Sequence, residues 1–436
     1  MKVSVIGCGY LGAVHAAAMA ELGHEVVGID VDQGKIDLLA AGESPVFEPG
    51  LSEILKVGVA SGRLSFSTEI SAAHGSQVHF ITVGTPQLLG GFAADVGFVD
   101  AAVSALLPEL NPGDLVVGKS TVPVGTAARL ATLVNHGASG VGLAWNPEFL
   151  REGYAVRDTL TPDRLVYGIP AGEGGIHATA LLDEVYARAL AGGTPRIVTD
   201  YATSELVKVA ANAFLATKIS FINAMAEIAE ATGADVTQLA DAIVHDVRIG
   251  RRFLNSGLGF GGGCLPKDIR AFRAHAEDIG LGDSVAFLRE VDAINLRRRD
   301  RMVSLTREVL GGDVAGKRIA ILGLAFKPNS DDVRDSPALD VAARLVGEGA
   351  IVSATDPEAI ETSRALYPDL HFAATPQEAA ADADAVLVLT EWAEYRELTP
   401  DMLSMVASTI ILDGRNCLDR RVWQDSGWLY RGLGRP

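Results

Sequence analysis

The chain has 436 residues, 48% of them hydrophobic. That is enough for a large buried core and long for one domain, so two or three folded domains are expected rather than a disordered chain. A formal net charge of −18 repels phosphate backbones and argues against nucleic-acid binding, so an anionic small-molecule substrate would need a local cluster of Lys and Arg. The three cysteines, Cys8, Cys264 and Cys417, form no CxxC pair and no zinc spacing, and an odd count argues against a disulfide framework. No metal is therefore expected. The N-terminal MKVSVIGCGYLG is strand-like and Gly-rich rather than a leader peptide. No unbroken run approaches the ~18 apolar residues of a membrane span, and a soluble, cytoplasmic protein is expected.

In chain order, Lys2–Ile6 is a β-branched run ended by Gly7, a helical stretch follows from Tyr10 to Leu22, and His24–Asp30 reads as a second strand. This is a βαβ unit. Gly7-x-Gly9-x-x-Gly12 falls at its strand-to-helix turn. The first Gly allows the tight turn, the second lets backbone approach a pyrophosphate, and the third allows close helix–strand packing. The helix N-terminus adds unpaired N–H groups and positive dipole. Asp30 ends the second strand where a carboxylate can accept from ribose hydroxyls and repel a 2′-phosphate, favouring NAD over NADP. Further strands are expected at Val78–Val83, Leu115–Lys119 and Gly142–Trp145, with helices between them. Alternation of this kind implies a parallel sheet covered by helices on both faces.

From Thr203 to Thr232 the sequence has no Gly or Pro and keeps apolar residues at helical spacing, with Gly233 as a stop. A helix this long suits a central or dimer-forming element. Lys208 and Asn212 share one of its faces. A partly buried Lys can act as acid or base, although the same pattern fits a solvated lysine. A second long helix is expected from Ser284 to Leu310. The αβ pattern then restarts. KRIAILGLAF from Lys317 parallels the N-terminal KVSVIGCGY, GAIVSATDP parallels HEVVGIDVD, and Ala385–Thr390 is another buried strand. The second copy lacks a full GxGxxG, so the two copies are expected to bind different ligands. The expected divisions are 1–200, 201–312 and 313–436.

The segment Gly259-Phe-Gly-Gly-Gly-Cys264-Leu-Pro-Lys267-Asp268 is the most informative. Its glycines let backbone approach a ligand, and Pro266 fits the first turn of a helix. Cys264 then lies at that helix's N-terminus beside Lys267, and both effects favour thiolate. Cys8 and Cys417 sit in apolar strand-end contexts that suit structural thiols. Asn146-Pro-Glu148-Phe-Leu-Arg-Glu152-Gly153 puts two carboxylates after the strand ending at Trp145, and Ser120-Thr121 follows another strand. By themselves these also fit solvated turns. Arg248, Arg251, Arg252, Lys327, Arg334 and Arg415 fall in loop-like stretches and are candidates to counter a pyrophosphate.

Taken together these segments resemble the UDP-glucose/GDP-mannose dehydrogenase family over nearly the whole chain. The matching stretches are VIGCGYLG, SPVFEPGL, VGTP, STVPVG, NPEFLREG, TPDRLVYG, ELVKVAANAF, GFGGGCLPKD, GLAFKPNSDDVRDSP and DPEA. HDVRIG, LTEWAEY and DGRN look like the UDP-glucose branch. The resemblance implies an α/β fold with two Rossmann-like doubly wound domains joined by a helical dimerisation segment, hence a homodimer. It implies NAD in the first domain and a UDP-sugar in the last. It also implies a four-electron oxidation, with GDP-mannose, UDP-N-acetylmannosamine or UDP-N-acetylglucosamine as the alternative substrates to UDP-glucose.

The resemblance carries roles over to particular residues. Cys264 matches the nucleophile. Lys208, Asn212 and Asp268 match the hydrogen-bonding and proton-transfer set, and Glu148 with Thr121 the water-handling residues. NAD contacts fall on Gly7, Gly9, Tyr10, Leu11 and Gly12 of the glycine motif. They continue through Asp30, Lys35, Thr85, Thr121, Glu152, Lys267 and Arg334. Substrate contacts fall on Glu148, Phe149, Leu150, Arg151 and Glu152, with Lys208, Asn212 and Arg248. The loop from Asn255 through Phe260 and Gly261, and then Phe326, Lys327 and Arg415, completes the implied substrate set.

Overall fold

A computed structural model describes all residues, Met1–Pro436. The chain divides into two compact units, Met1–Ala211 and Asn212–Pro436. In the first unit the strands are β1 Lys2–Ile6, β2 Glu25–Ile29, β3 Leu64–Ser67, β4 Val78–Ile81, β5 Leu115–Gly118, β6 Gly142–Trp145, β7 Leu165–Gly168 and β8 Arg196–Thr199. They form one sheet in the order β3-β2-β1-β4-β5-β6-β7-β8. The first six positions have the doubly wound arrangement that leaves a crevice where the order reverses, beside β1 and β4.

The sheet departs from the all-parallel expectation at one junction. β6 and β7 meet antiparallel through the single pair Trp145 and Gly168, and β8 then runs parallel to β7. The connection from Trp145 to Leu165 holds only the six-residue helix Ala155–Leu160. β1, β4 and β5 are almost wholly buried, as strands covered on both faces should be. The helix Tyr10–Glu21 is buried along nearly its whole length from Gly12 to Ala20 and is rich in Ala, which lets it lie close against the sheet.

The second unit repeats the order. β9 Arg318–Leu322, β10 Ile351–Thr355, β11 His371–Phe372, β12 Ala385–Val388, β13 Ile410–Asp413 and β14 Leu429–Gly432 assemble as β11-β10-β9-β12-β13-β14, all parallel. The architectural repeat expected from KRIAILGLAF is thus present as a whole six-strand sheet.

A single helix, Tyr201–Thr232, runs from the end of the first unit into the start of the second. It is long and apolar enough to cross a membrane by length and composition. A search for unbroken apolar runs passes over it, because Glu205, Lys208, Lys218, Glu227 and Glu230 interrupt the pattern. Those charges have protein partners. Glu205 accepts from the N–H groups of Gly125 and Ala127, both at 2.7 Å, and Glu230 pairs with Arg298 and Arg301. These are the marks of a core helix in a folded protein.

Gly118 stands opposite Trp145 in the β5–β6 register, and a Cβ there would fall 2.1–2.4 Å from the Trp145 ring. Gly118→Ala is therefore expected to destabilise the first unit by about 1–3 kcal/mol through overpacking. Thermal unfolding tests this, and an unchanged melting temperature would show that the ring moves aside at no cost.

Candidate active site

In the first unit the glycine turn has the geometry its sequence requires. Gly7 adopts φ +94°, and Thr82 Oγ1 donates to the Gly7 carbonyl at 2.7 Å. Gly9 is the N-cap of the helix Tyr10–Glu21, and nothing lies within 4 Å of a Cβ built there. That opening is where backbone N–H groups can meet a pyrophosphate. A Cβ on Gly12 would sit 1.8 Å from the Gly7 carbonyl oxygen, so only Gly fits. Asp30 accepts from the N–H of Cys8 at 2.8 Å and of Asp32 at 3.0 Å, which fixes its carboxylate at the rim of the turn. Lys35 lies 4.0 Å from Asp30 and 3.6 Å from Asp32. Leu11 is half-buried on the same first turn. These groups fit the cradle that a dinucleotide needs.

The Tyr10 hydroxyl donates to Glu48, a buried carboxylate that also accepts from the N–H groups of Gly153 and Ala155, each at 2.6 Å. Burial, Glu48 and Glu152 together push the Tyr10 hydroxyl well above its ordinary pKa. Sequence reading missed Glu48. It lies within SPVFEPGL, but nothing local shows that it clamps the glycine turn to the loop carrying Glu148 and Glu152. On the neighbouring strand ends, Thr85 Oγ1 donates to the Thr121 carbonyl at 2.8 Å.

Glu148 follows β6. Its Oε1 is 2.7 Å from Lys208 Nζ, and its Oε2 accepts from the Leu150 N–H at 2.6 Å. Both side chains are nearly buried, 12% and 6% exposed. Burial alone would raise the Glu148 pKa, but the Lys208 ammonium, the Leu150 N–H and the Lys119 ammonium outweigh it and hold it below the usual carboxylate value. Lys208 is thus half of a buried ion pair rather than an isolated amine. Phe149 closes one wall, with Arg164 stacked over its ring at 3.8 Å and Lys208 Nζ at 5.7 Å. Leu150 packs on the core of the first unit. Arg151 is turned away onto Asp158, at 2.6–2.8 Å.

In the second unit Asn212, one helical turn beyond Lys208, donates to Asp268 at 2.6 Å, and Lys267 Nζ lies 2.8 Å from the other Asp268 oxygen. Cys264 is the N-cap of the helix Leu265–Asp278, and its thiol is exposed. The glycines before it admit close neighbours. A Cβ on Gly261 would strike the Asp335 carbonyl oxygen at 2.4 Å, on Gly262 the Phe326 ring at 2.7 Å, and on Gly263 the Arg334 guanidinium at 2.4 Å. Phe326, Arg334 and the glycine loop therefore converge beside Cys264, with Lys327 Nζ 5.1 Å over the Phe326 ring. Arg334 also bonds Asp332 at 2.7–3.0 Å. Arg415 spends its donors on the carbonyls of Leu389, Gly259 and Phe326 at 2.8–3.0 Å, so it braces the loop. Phe260 is buried, its N–H and carbonyl both held by Asn295. Asn255 is exposed, and Arg248 is 86% exposed and folded onto Asp246.

Residues 1–190 match the NAD binding domain of the UDP-glucose/GDP-mannose dehydrogenase family, 202–297 its central domain and 320–420 its UDP binding domain. The chain belongs to that family. It is 42% identical to a UDP-glucose 6-dehydrogenase of Rhizobium meliloti, covering 100% of both chains. Among solved structures, a UDP-glucose dehydrogenase from Pyrobaculum islandicum superposes with a TM-score of 0.90 at 37% identity, covering 100% of this chain and 98% of that one. A UDP-D-ManNAc dehydrogenase from Pyrococcus horikoshii gives a TM-score of 0.85 at 26% identity, covering 100% and 99%.

The three thiols are separated by this environment. Cys8 is buried and its pKa is pushed up to about 12 by burial and Asp30, and burial with Asp413 and Glu391 raises Cys417 as well. Limited alkylation at neutral pH is expected to modify one thiol quickly, and Cys264→Ser is expected to abolish that fast phase. Intact-mass analysis checks this; a fast phase that survives the substitution would contradict it.

Proposed function

We propose that the protein is a UDP-glucose 6-dehydrogenase, oxidising the C6 alcohol of UDP-glucose to the carboxylate of UDP-glucuronate with two NAD. The observation that carries this reading is full-length similarity to UDP-glucose 6-dehydrogenases joined to an exposed Cys264 at a helix N-terminus inside a glycine loop. We assign residues 1–200 to NAD binding, 201–312 to a helical dimerisation segment with Lys208 and Cys264, and 313–436 to the UDP-sugar.

The chemistry explains the thiol. An aldehyde carbon carries no hydroxyl oxygen whose electrons can push its remaining hydride out. The Cys264 thiolate adds to it and forms a thiohemiacetal, which can lose hydride and become a thioester. Bound NAD supplies the hydride acceptor for both oxidations. A water held by Asp268 takes the proton of the C6 hydroxyl, since Lys208 is the ammonium paired with Glu148. Lys208 and Asn212 then hydrogen-bond the developing oxyanion. Water cleaves the thioester, and Glu148 takes its proton. Arg334 and Phe326, which pack against the glycine loop, and Lys327 over the Phe326 ring are assigned as substrate and cofactor contacts. Three free cysteines suit a reducing compartment, which supports the cytoplasm as its location.

The long helix supports a homodimer. Phe214, Phe221 and Ile228 are 65%, 47% and 54% exposed and recur every seventh residue, so they form one apolar stripe on one face. A second copy of this chain is the occupant we assign to that stripe. Phe221→Asp is expected to shift the protein from dimer to monomer in light scattering, and an unchanged mass would remove the stripe from the interface.

The activity is tested with a panel of nucleotide sugars, following NADH at 340 nm as about one absorbing product per hydride transferred. UDP-glucose should exceed GDP-mannose and the N-acetylated UDP-sugars in kcat/KM; preference for one of those would keep the family and replace the substrate. Lys208→Ala should lower the rate by roughly 10²–10⁴-fold, the usual weight of a general acid–base group. Undiminished turnover would leave Lys208 with a structural role only.

A further inference from the structure

Lys119 follows β5 and points into the interior of the first unit, where it is buried. Its Nζ donates to Asn146 Oδ1 at 3.0 Å, to the Asn146 carbonyl at 3.4 Å and to the Tyr186 hydroxyl at 3.3 Å. It also lies 5.7 Å and 5.8 Å from the ring centroids of Phe80 and Tyr186. Asn146 is itself fixed, accepting from the Tyr186 hydroxyl at 2.7 Å and donating to the Val166 carbonyl at 2.9 Å. No carboxylate bonds this ammonium directly. Burying such a charge costs several kcal/mol, and an apolar side chain of the same length would fill the space without that cost. The charge therefore calls for a functional reason.

That reason stands two residues beyond Asn146. Lys119, Asn146, Glu148 and Phe149 line one small cavity of about 40 Å³ with His15 and Tyr186. The charged and titratable groups around it come from several elements. Lys208 reaches Glu148 from the long helix. His15, from the helix Tyr10–Glu21, is kept neutral by burial and by Lys119. Tyr186 is kept protonated by burial. On the far wall Asp158 is held by Arg151, Arg164 lies over Phe149, and Asp163 completes the lining. Lys208 and Lys119 are therefore the two cations that act on the Glu148 carboxylate, and both lower its pKa against the effect of burial. Burial brings Lys119 down to about 8, so it still carries its charge at neutral pH.

We propose that Lys119 is a positioning residue for thioester hydrolysis, fixing the Asn146–Glu148 turn through Asn146 and keeping the Glu148 carboxylate anionic to receive the water proton. In that step the water oxygen bonds the thioester carbon, one water proton passes to Glu148, and the carbon–sulfur bond breaks to release the Cys264 thiolate. The new carboxylic acid gives its remaining proton to solvent. The role rests on the covalent reading above.

The test uses Lys119→Met and Lys119→Gln, the second keeping a hydrogen-bonding end for Asn146 and Tyr186. NAD affinity and thermal midpoint establish that each variant is folded. With UDP-glucose and NAD, intact mass reads the covalent adduct on Cys264, and turnover is followed against pH. Loss of the cation lets the Glu148 pKa rise, so the acid limb should move to higher pH and the rate below the limb should fall. The thioester adduct should accumulate, and Lys119→Arg should leave the limb in place. A folded, NAD-binding neutral variant with an unmoved acid limb and normal wild-type turnover overturns the Lys119 role alone. Wild-type enzyme that forms neither NADH nor adduct from UDP-glucose overturns the covalent reading and this role with it.

Discussion

A buried ammonium and carboxylate, Lys208 and Glu148, join the long helix to the loop after β6 at 2.7 Å. Removing one member of such a pair strands the other charge, at a cost of about 3–5 kcal/mol. The pair constrains its surroundings accordingly. Glu148 must sit at the end of a strand that cannot shift, and β6 is pinned by its register with β5 and by the Asn146 side chain reaching β7. Lys208 must come from a helix that is anchored, and Glu205, one turn earlier, caps the helix Thr126–Gly137. The same unbroken helix then carries Asn212 to Asp268. Lys208 and Asn212 are thus set on one helix, and each is paired with a carboxylate of its own unit.

The two sheets share one strand order but use their strand-end carboxylates differently. After β2, Asp30 takes only one N–H from the glycine turn, that of Cys8, and leaves the helix N-terminus open. After β10, Asp356 accepts from the N–H groups of both Leu324 and Ala325, and from Trp392 Nε1 at 3.1 Å. The second turn has therefore satisfied internally the donors that the first can offer to phosphate. One architecture serves two ligands because a few hydrogen bonds close one of its two mouths.

Local chemistry was legible in the sequence where it is fixed by neighbouring residues. The glycine turn and Asp30 follow from steric and spacing rules within thirty residues, and Cys264 at a helix start follows from Pro266 two residues on. The repeat of the first strand pattern at Lys317 announced the second sheet. What was not legible depends on long-range contact. Glu48 is brought to Gly153 by packing of the helix Leu51–Ala60, and Lys119 looks like the polar end of a strand until Asn146 and Tyr186 close around it. The arginine signal was the weakest, since Arg415 spends its donors on carbonyls and Arg248 on Asp246, which composition cannot distinguish from anion binding.

The central claim is a four-electron oxidation completed on one thiol, and its most direct measure is the amount of NADH formed per UDP-glucose consumed by purified protein in excess NAD. The account predicts a ratio of about two, since the thiohemiacetal of Cys264 must surrender a second hydride before hydrolysis. A ratio near one would mean that the reaction stops at the aldehyde and would remove Cys264 from the chemistry.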